Sequence, residues 1–259
     1  MAAAGPAALR PLLFGAPDAP LFGCHHIPRG TAPPAEGVVL CQPAGHEYLV
    51  CHRAMRQLAV RLAQSGRAAL RFDFTGNGDS SGDAREGLPS RWVTDVHHAV
   101  EEMRATVAGM SAVGLRLGAA LALMYAQGPG SAELRNLVLW DPVIDGRAYV
   151  DEHLALHRER FGGKGSDEVL GFPLTAALRS ELEAIDLLKT GRPSARRVLI
   201  VETGTLRPEA RALEAKLRSL GAAVEYRSFE VPAVWQEQPN QVMVPATVIQ
   251  AIVTWMKAT

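Results

Sequence analysis

From residue 37 onward, short continuous apolar runs alternate with longer segments whose apolar residues recur at helical spacing. The runs are GVVLCQP (37–43), AALRFDF (68–74), SAVGL (111–115), LRNLVLWDP (134–142), RRVLIVETG (196–204) and AVEYRSFEV (223–231). A strand that is apolar at successive positions has to be buried on both faces, which a parallel sheet covered by helices provides. Between the runs lie amphipathic patterns: Cys51, Ala54, Met55, Leu58 and Leu62, closed by Gly66, and then Trp92, Val93, Val96, Val100, Met103 and Val107. Two more follow late in the chain, Ala210, Leu213, Leu217 and Leu220 between Pro208 and Gly221, and Val248, Ile249, Ile252, Val253 and Met256 at the end. Strand and helix in strict alternation imply an α/β chain with a mostly parallel central sheet flanked by helices.

Two departures mark the rest of the chain. Before residue 37, PLLFG and LFGCHHIP are separated by APDAP and read as a leading hairpin. Between 146 and 191 the rhythm breaks into a charged, mostly helical stretch, which reads as a cap or lid inserted within a single domain spanning 1–259.

Charge narrows the classes of partner. Lys plus Arg number 27 and Asp plus Glu 27, so no basic footprint for nucleic acid or anionic membrane is expected. Cys24, Cys41 and Cys51 cannot all pair and match no zinc spacing, so reduced thiols and no metal are expected. The start, MAAAGPAALRPLLFGAP, lacks the basic-then-apolar pattern of a signal peptide, and no run is long enough to span a bilayer. The expectation is a soluble, cytoplasmic protein without a cofactor. The adjacent pairs His25–His26 and His97–His98 cannot share one face of a strand or helix, which argues against a metal site.

RFDFTGNGDSSG, residues 71–82, contains glycines but fails the dinucleotide fingerprint: Ser81 stands where the third glycine is needed. Asp73 and Asp79 read as structural, tying this loop to the next helix. The most informative stretch is SAVGLRLGAALAL, Ser111 to Leu123. An apolar strand runs into Gly-Leu-Arg-Leu-Gly and an Ala/Leu-rich helix leaves it. This is the outline of the G-x-S-x-G nucleophile elbow, with Arg116 in place of the serine.

In order and spacing these segments resemble the α/β-hydrolase superfamily over roughly residues 37–259. CQPAGHEYLVCHRAMRQLAVRLAQSG resembles its third strand, oxyanion loop and first large helix, and LVLWDPVIDG resembles the strand after the elbow. Within the superfamily the chain is similar to bacterial hydrolases of the serine-aminopeptidase type, including the exosortase-associated group. The resemblance implies a nucleophile, an acid and a histidine, in that chain order. The nucleophile position holds Arg116. The acid is expected at Thr205 or Leu206, or, after the preceding strand, at Asp141 or Asp145. The histidine is expected after YRSFEV, yet His157 is the last histidine of the chain. Without serine and imidazole, conventional ester hydrolysis has neither nucleophile nor general base. Cys41 follows an apolar run and reads as a buried structural thiol. Asp141 remains a candidate catalytic carboxylate.

Arg116 on the pocket floor could anchor a carboxylate or phosphate, because a guanidinium adds donors to a helix N-terminus that already favours anions. It could instead form an internal ion pair with Asp141, Glu202 or Glu237. His46 and Glu47 follow QPAG, where the resemblance places oxyanion-hole amides, so His46 is the candidate acid/base group. The resemblance puts Gln42, Gly45, Glu47, Arg116, Leu117 and Trp235 around a substrate, with Trp235, Gln236 and Glu237 where the histidine loop belongs.

The leading expectation is non-hydrolytic acid/base chemistry, such as isomerisation or epimerisation, on a small molecule or peptide bearing an anionic group. A non-catalytic binding protein, for a ligand or a partner protein, and an unorthodox ester or amide hydrolase stay open beside it.

Overall fold

The computed structural model describes residues 8–30, 34–163, 167–236 and 244–258. The chain opens on a hairpin, β1 (Ala8–Ala16) and β2 (Ala19–Ile27), paired antiparallel from Ala8↔Ile27 to Ala16↔Ala19. Then β3 (Gly37–Cys41), α1 (His46–Gln64), β4 (Ala68–Phe72), α2 (Pro89–Arg104), β5 (Met110–Leu115), α3 (Leu117–Gln127) and β6 (Leu134–Trp140) alternate. The segment between β6 and the next sheet strand holds α4 (Gly146–Phe161), the two-residue strands β7 (Glu168–Val169) and β8 (Phe172–Pro173), and α5 (Ala176–Glu183). The alternation resumes with β9 (Ala195–Thr203), α6 (Pro208–Ser219), β10 (Val224–Phe229) and α7 (Ala246–Lys257).

Eight strands form one sheet in the order β1-β2-β4-β3-β5-β6-β9-β10. β2 joins β4 antiparallel, and every pairing from β4 to β10 is parallel. Every residue of β3, β4 and β5 is buried, so the continuous apolar runs follow from cover on both faces. On one face α2, α3 and α6 bury Trp92, Val96, Leu121 and Leu213. On the other, α1 and α7 bury Met55, Leu58, Ile252 and Met256. α3 is apolar all round, with Leu117 to Leu123 buried, as a helix enclosed on every side requires.

Two details differ from the sequence reading. α2 ends at Arg104, so Val107 lies past the helix and packs on the same core from the loop. The glycine loop after β4 is tied to α2 by Asp95, which accepts from Thr75 N (2.8 Å) and Thr75 Oγ1 (3.0 Å), and by Trp92 Nε1, which donates to Thr75 O. Asp73 faces the other way and accepts from Tyr48 OH (2.9 Å) and from the Asp79 amide (3.2 Å). No helix among the described residues is long and apolar enough to cross a membrane.

Candidate functional site

The turn from β5 into α3 forces one residue into a backbone state that L-residues avoid. Arg116 holds φ 53°, ψ −121°, a conformation that costs about 1–3 kcal/mol. Its amide donates to Trp140 O at 3.0 Å, and its carbonyl accepts from Ala119 N and Val143 N. The flanking glycines are required for close approach. A Cβ on Gly114 would lie 2.3 Å from Gly118 O, and one on Gly118 would lie 2.2 Å from Cys41 O. The sharp strand–turn–helix is therefore intact with an arginine at its apex.

That arginine is almost wholly enclosed, its side chain 2% exposed. Nε donates to Glu47 Oε1 at 2.7 Å and Nη2 to Glu152 Oε2 at 3.0 Å. Its Cζ lies 3.6 Å from the centre of the Trp235 ring and 5.4 Å from that of Tyr149. Burial alone would loosen its proton, but Glu47 and Glu152 outweigh that and hold it charged. Of the three carboxylates expected as internal partners, Asp141 and Glu202 are engaged elsewhere, and Glu237 lies outside the described residues. Asp141 and Glu202 end or follow strands β6 and β9, whereas Glu47 reaches Arg116 from the first turn of α1 and Glu152 from α4.

Glu47 is equally enclosed. Its Oε2 accepts from Tyr149 OH at 3.3 Å, and His153 Nε2 lies 3.9 Å from Oε1. Tyr149, Glu152 and His153 occupy i, i+3 and i+4 of α4, one face of one turn, and all three converge on the Arg116–Glu47 pair. Sequence reasoning missed them. That spacing was the available signal, but nothing in it says which element the face meets.

Asp141, wholly buried with φ 44°, accepts from Thr203 N (2.8 Å) and Thr203 Oγ1 (2.5 Å). Trp235 Nε1 donates to its Oδ2 at 3.3 Å. Burial lifts its proton affinity above the ordinary carboxylate value, against the Thr203 bonds and the Arg207 and Arg116 charges. Thus an elbow side chain, the ring of the loop after β10 and a carboxylate after β6 form one connected row, Arg116–Trp235–Asp141. Glu202 takes Arg207 N (2.7 Å), Arg207 Nε (3.2 Å) and Tyr226 OH, and Arg207 Nη2 joins it to Asp141 at 3.7 Å. Thr205 and Leu206 are exposed.

Beside this row lies a small apolar cavity, open on one side, walled by Trp92, Leu117, Val150, Phe172, Leu178 and Leu182. Gly45, His46, Tyr149 and His153 line it as well. His46 Nε2 sits 3.3 Å from Arg160 Nη1. Burial, Arg160 and His153 lower its pKa against Glu47, which favours a neutral ring near pH 7. Gln42 spends its amide on Phe72 O (3.0 Å) and Asp73 Oδ1 (3.4 Å), holding the loop below Gly45. Cys41 is buried and its thiol is pushed up to about 12, so it stays protonated and inert.

No family model matches the chain, and no curated protein matches it in sequence. Solved structures match over nearly its whole length. Est1E from Butyrivibrio proteoclasticus, in a complex with ferulic acid, is 16% identical with a TM-score of 0.71, covering 95% of this chain and 98% of its own. The Pyrococcus furiosus esterase Pf2001 is 14% identical at TM-score 0.69, over 97% and 91%. A putative hydrolase from Agrobacterium vitis is 18% identical at TM-score 0.63, over 98% and 99%. With an eight-stranded, mostly parallel sheet, a sharp elbow after β5 and esterases and hydrolases as its structural neighbours, the chain has the α/β-hydrolase fold.

Proposed function

We propose that this chain is a non-hydrolytic protein of the α/β-hydrolase fold that binds a small molecule, or a peptide side group, in the apolar cavity beside its elbow. The observation that carries the reading is the row Arg116–Trp235–Asp141. In a hydrolase, the elbow residue attacks, the ring of the last strand's loop takes its proton, and the carboxylate holds that ring. Here a guanidinium cannot attack, and an indole N–H donates but has no lone pair with which to accept a proton. The same three positions instead form an ion-paired, stacked and hydrogen-bonded cluster. The cavity survives next to it, with apolar walls of the kind that hold small ligands and few polar groups to orient them.

Fluorophosphonate labelling and turnover of aryl esters test the reading directly, and neither is expected. Arg116→Ser should not restore turnover, because the loop after β10, where the fold's general base belongs, carries Trp235 and no histidine. Adding Trp235→His to Arg116→Ser and Glu47→Gln places an imidazole where the indole now meets Asp141, and measurable labelling is expected there. Turnover by the unmodified chain would overturn the proposal.

A second reading, acid/base isomerisation, draws on the two histidines lining the cavity, His46 and His153. A neutral imidazole is a competent general base near pH 7. Exchange of a bound ligand's C–H proton with solvent deuterium, lost in His46→Gln and His153→Gln, separates this reading from binding alone.

A further inference from the structure

Arg116 carries one positive charge and meets two carboxylates, and the two are held very differently. Glu47 is 3% exposed, belongs to the first turn of α1, and is fixed by Arg116 Nε, Tyr149 OH and the nearby His153. With Glu47 alone the buried charge is already balanced. Glu152 is 45% exposed, and its contact among the described residues is the single bond from Arg116 Nη2. A partner exposed to that extent contributes little net energy, because water competes for it. Removing Glu47 would instead leave the buried cation with only this exposed partner.

Glu152 also stands between two cavities. One, lined by His46, His153, Arg160 and Trp235, shares both histidines with the apolar cavity, and the other is lined by Arg116, Val143, Ile144 and Arg207. Arg160 has no ion pair among the described residues and adds a second cation at the first of these. We infer that Glu152 occupies, in the unliganded protein, the place of a ligand's carboxylate on Arg116. A carboxylate whose apolar body lies past His46 and His153 exchanges with Glu152 at Nη2 and leaves the charge balance unchanged. Because the group it displaces at Nη2 is itself a carboxylate, the ligand class is an aryl or alkyl carboxylate. The inference rests on the ligand-binding reading above and adds to it the anionic group and the residue that yields to it.

Titration calorimetry with benzoate, and with benzyl alcohol as its uncharged counterpart, tests this on the wild type, Glu152→Gln and Glu152→Ala, with melting curves confirming folded protein. We expect both variants to bind benzoate about tenfold tighter than the wild type while benzyl alcohol changes little. The gain should vanish when Glu152→Ala is combined with Glu47→Gln and Arg116→Gln, which removes the cation without stranding its buried partner. Unchanged benzoate affinity in both variants, or an equal gain for benzyl alcohol, would overturn the inference. Those outcomes leave the ligand-binding reading standing as long as the wild type stays inert to fluorophosphonate and binds benzyl alcohol. Labelling or ester turnover would instead remove the reading itself.

Discussion

The parallel sheet carries an arginine–glutamate pair with an enclosed carboxylate at each end, and the two ends are built on opposite plans. At the strand starts, Glu36 takes Arg67 Nε at 2.5 Å, Asn136 Nδ2 at 3.0 Å and the Ser111 hydroxyl, while Arg67 Nη2 donates to Met256 O at 2.6 Å. Every partner there comes from the sheet, its loops or α7. At the strand ends, the Arg116–Glu47 pair draws its further hydrogen-bonding and ionic partners from α4, outside the sheet, and one of them, Glu152, is half in water. A closed polar network fixes geometry. An open one leaves a partner that can be exchanged. The ligand exchange proposed at Glu152 rests on this difference.

The most severe way to break this comparison acts on the elbow beneath the upper cluster. Gly118→Ala sets a Cβ 2.2 Å from Cys41 O and 2.5 Å from Gln42 O, both backbone atoms that cannot turn aside. We expect a loss of about 3 kcal/mol or more in chemical denaturation, or no folded protein. Next come the two buried acids. Glu36→Gln leaves the part-buried Arg67 without its anion, and Glu47→Gln leaves the enclosed Arg116 only the half-exposed Glu152; each should cost about 3–5 kcal/mol. If Glu47→Gln costs far less than Glu36→Gln, the upper cluster is looser than its distances imply.

The pH dependence of the upper cluster has a definite sign. The folded-state pKa of Asp141 is raised above its ordinary 3.8, chiefly by burial, so the native protein holds a proton that the unfolded chain releases first. Its contribution to stability is complete below 3.8 and is lost as pH rises through the lifted value. Asp141→Asn should flatten that part of the profile in melting curves taken against the wild type. A difference independent of pH would show that Asp141 binds its proton equally well folded and unfolded. The smallest effect is expected of Glu152→Gln, about 0–1 kcal/mol, against the several lost at Glu47. A cost comparable to that of Glu47→Gln would make Glu152 a fixed member of the cluster and close the distinction between the two ends.

Much of the fold was legible because burial on both faces writes itself into consecutive residues. GVVLC, AALRF and LRNLVLW are strands β3, β4 and β6, and the leading hairpin and the elbow lie where turn residues and glycines put them. The site was legible only in part. Arg116, Glu47, Trp235 and Asp141 could be named as site candidates from the family resemblance, but not paired. Choosing among Asp141, Glu202 and Glu237 for Arg116 depended on side-chain direction. The actual partners come from α1 and α4, 69 and 36 residues away.

Sequence by itself determined the sheet, its two helical layers, an arginine at the centre of the Gly-Leu-Arg-Leu-Gly turn, and the lack of any histidine after His157. Hydrophobic periodicity and residue identity are local properties that survive without coordinates. Only the tertiary structure decided that the cation at the elbow is already neutralised, that an indole links it to Asp141, and that one of its two carboxylates stands exposed. Those facts depend on which faces of distant helices meet over one residue, and packing fixes that, not sequence spacing.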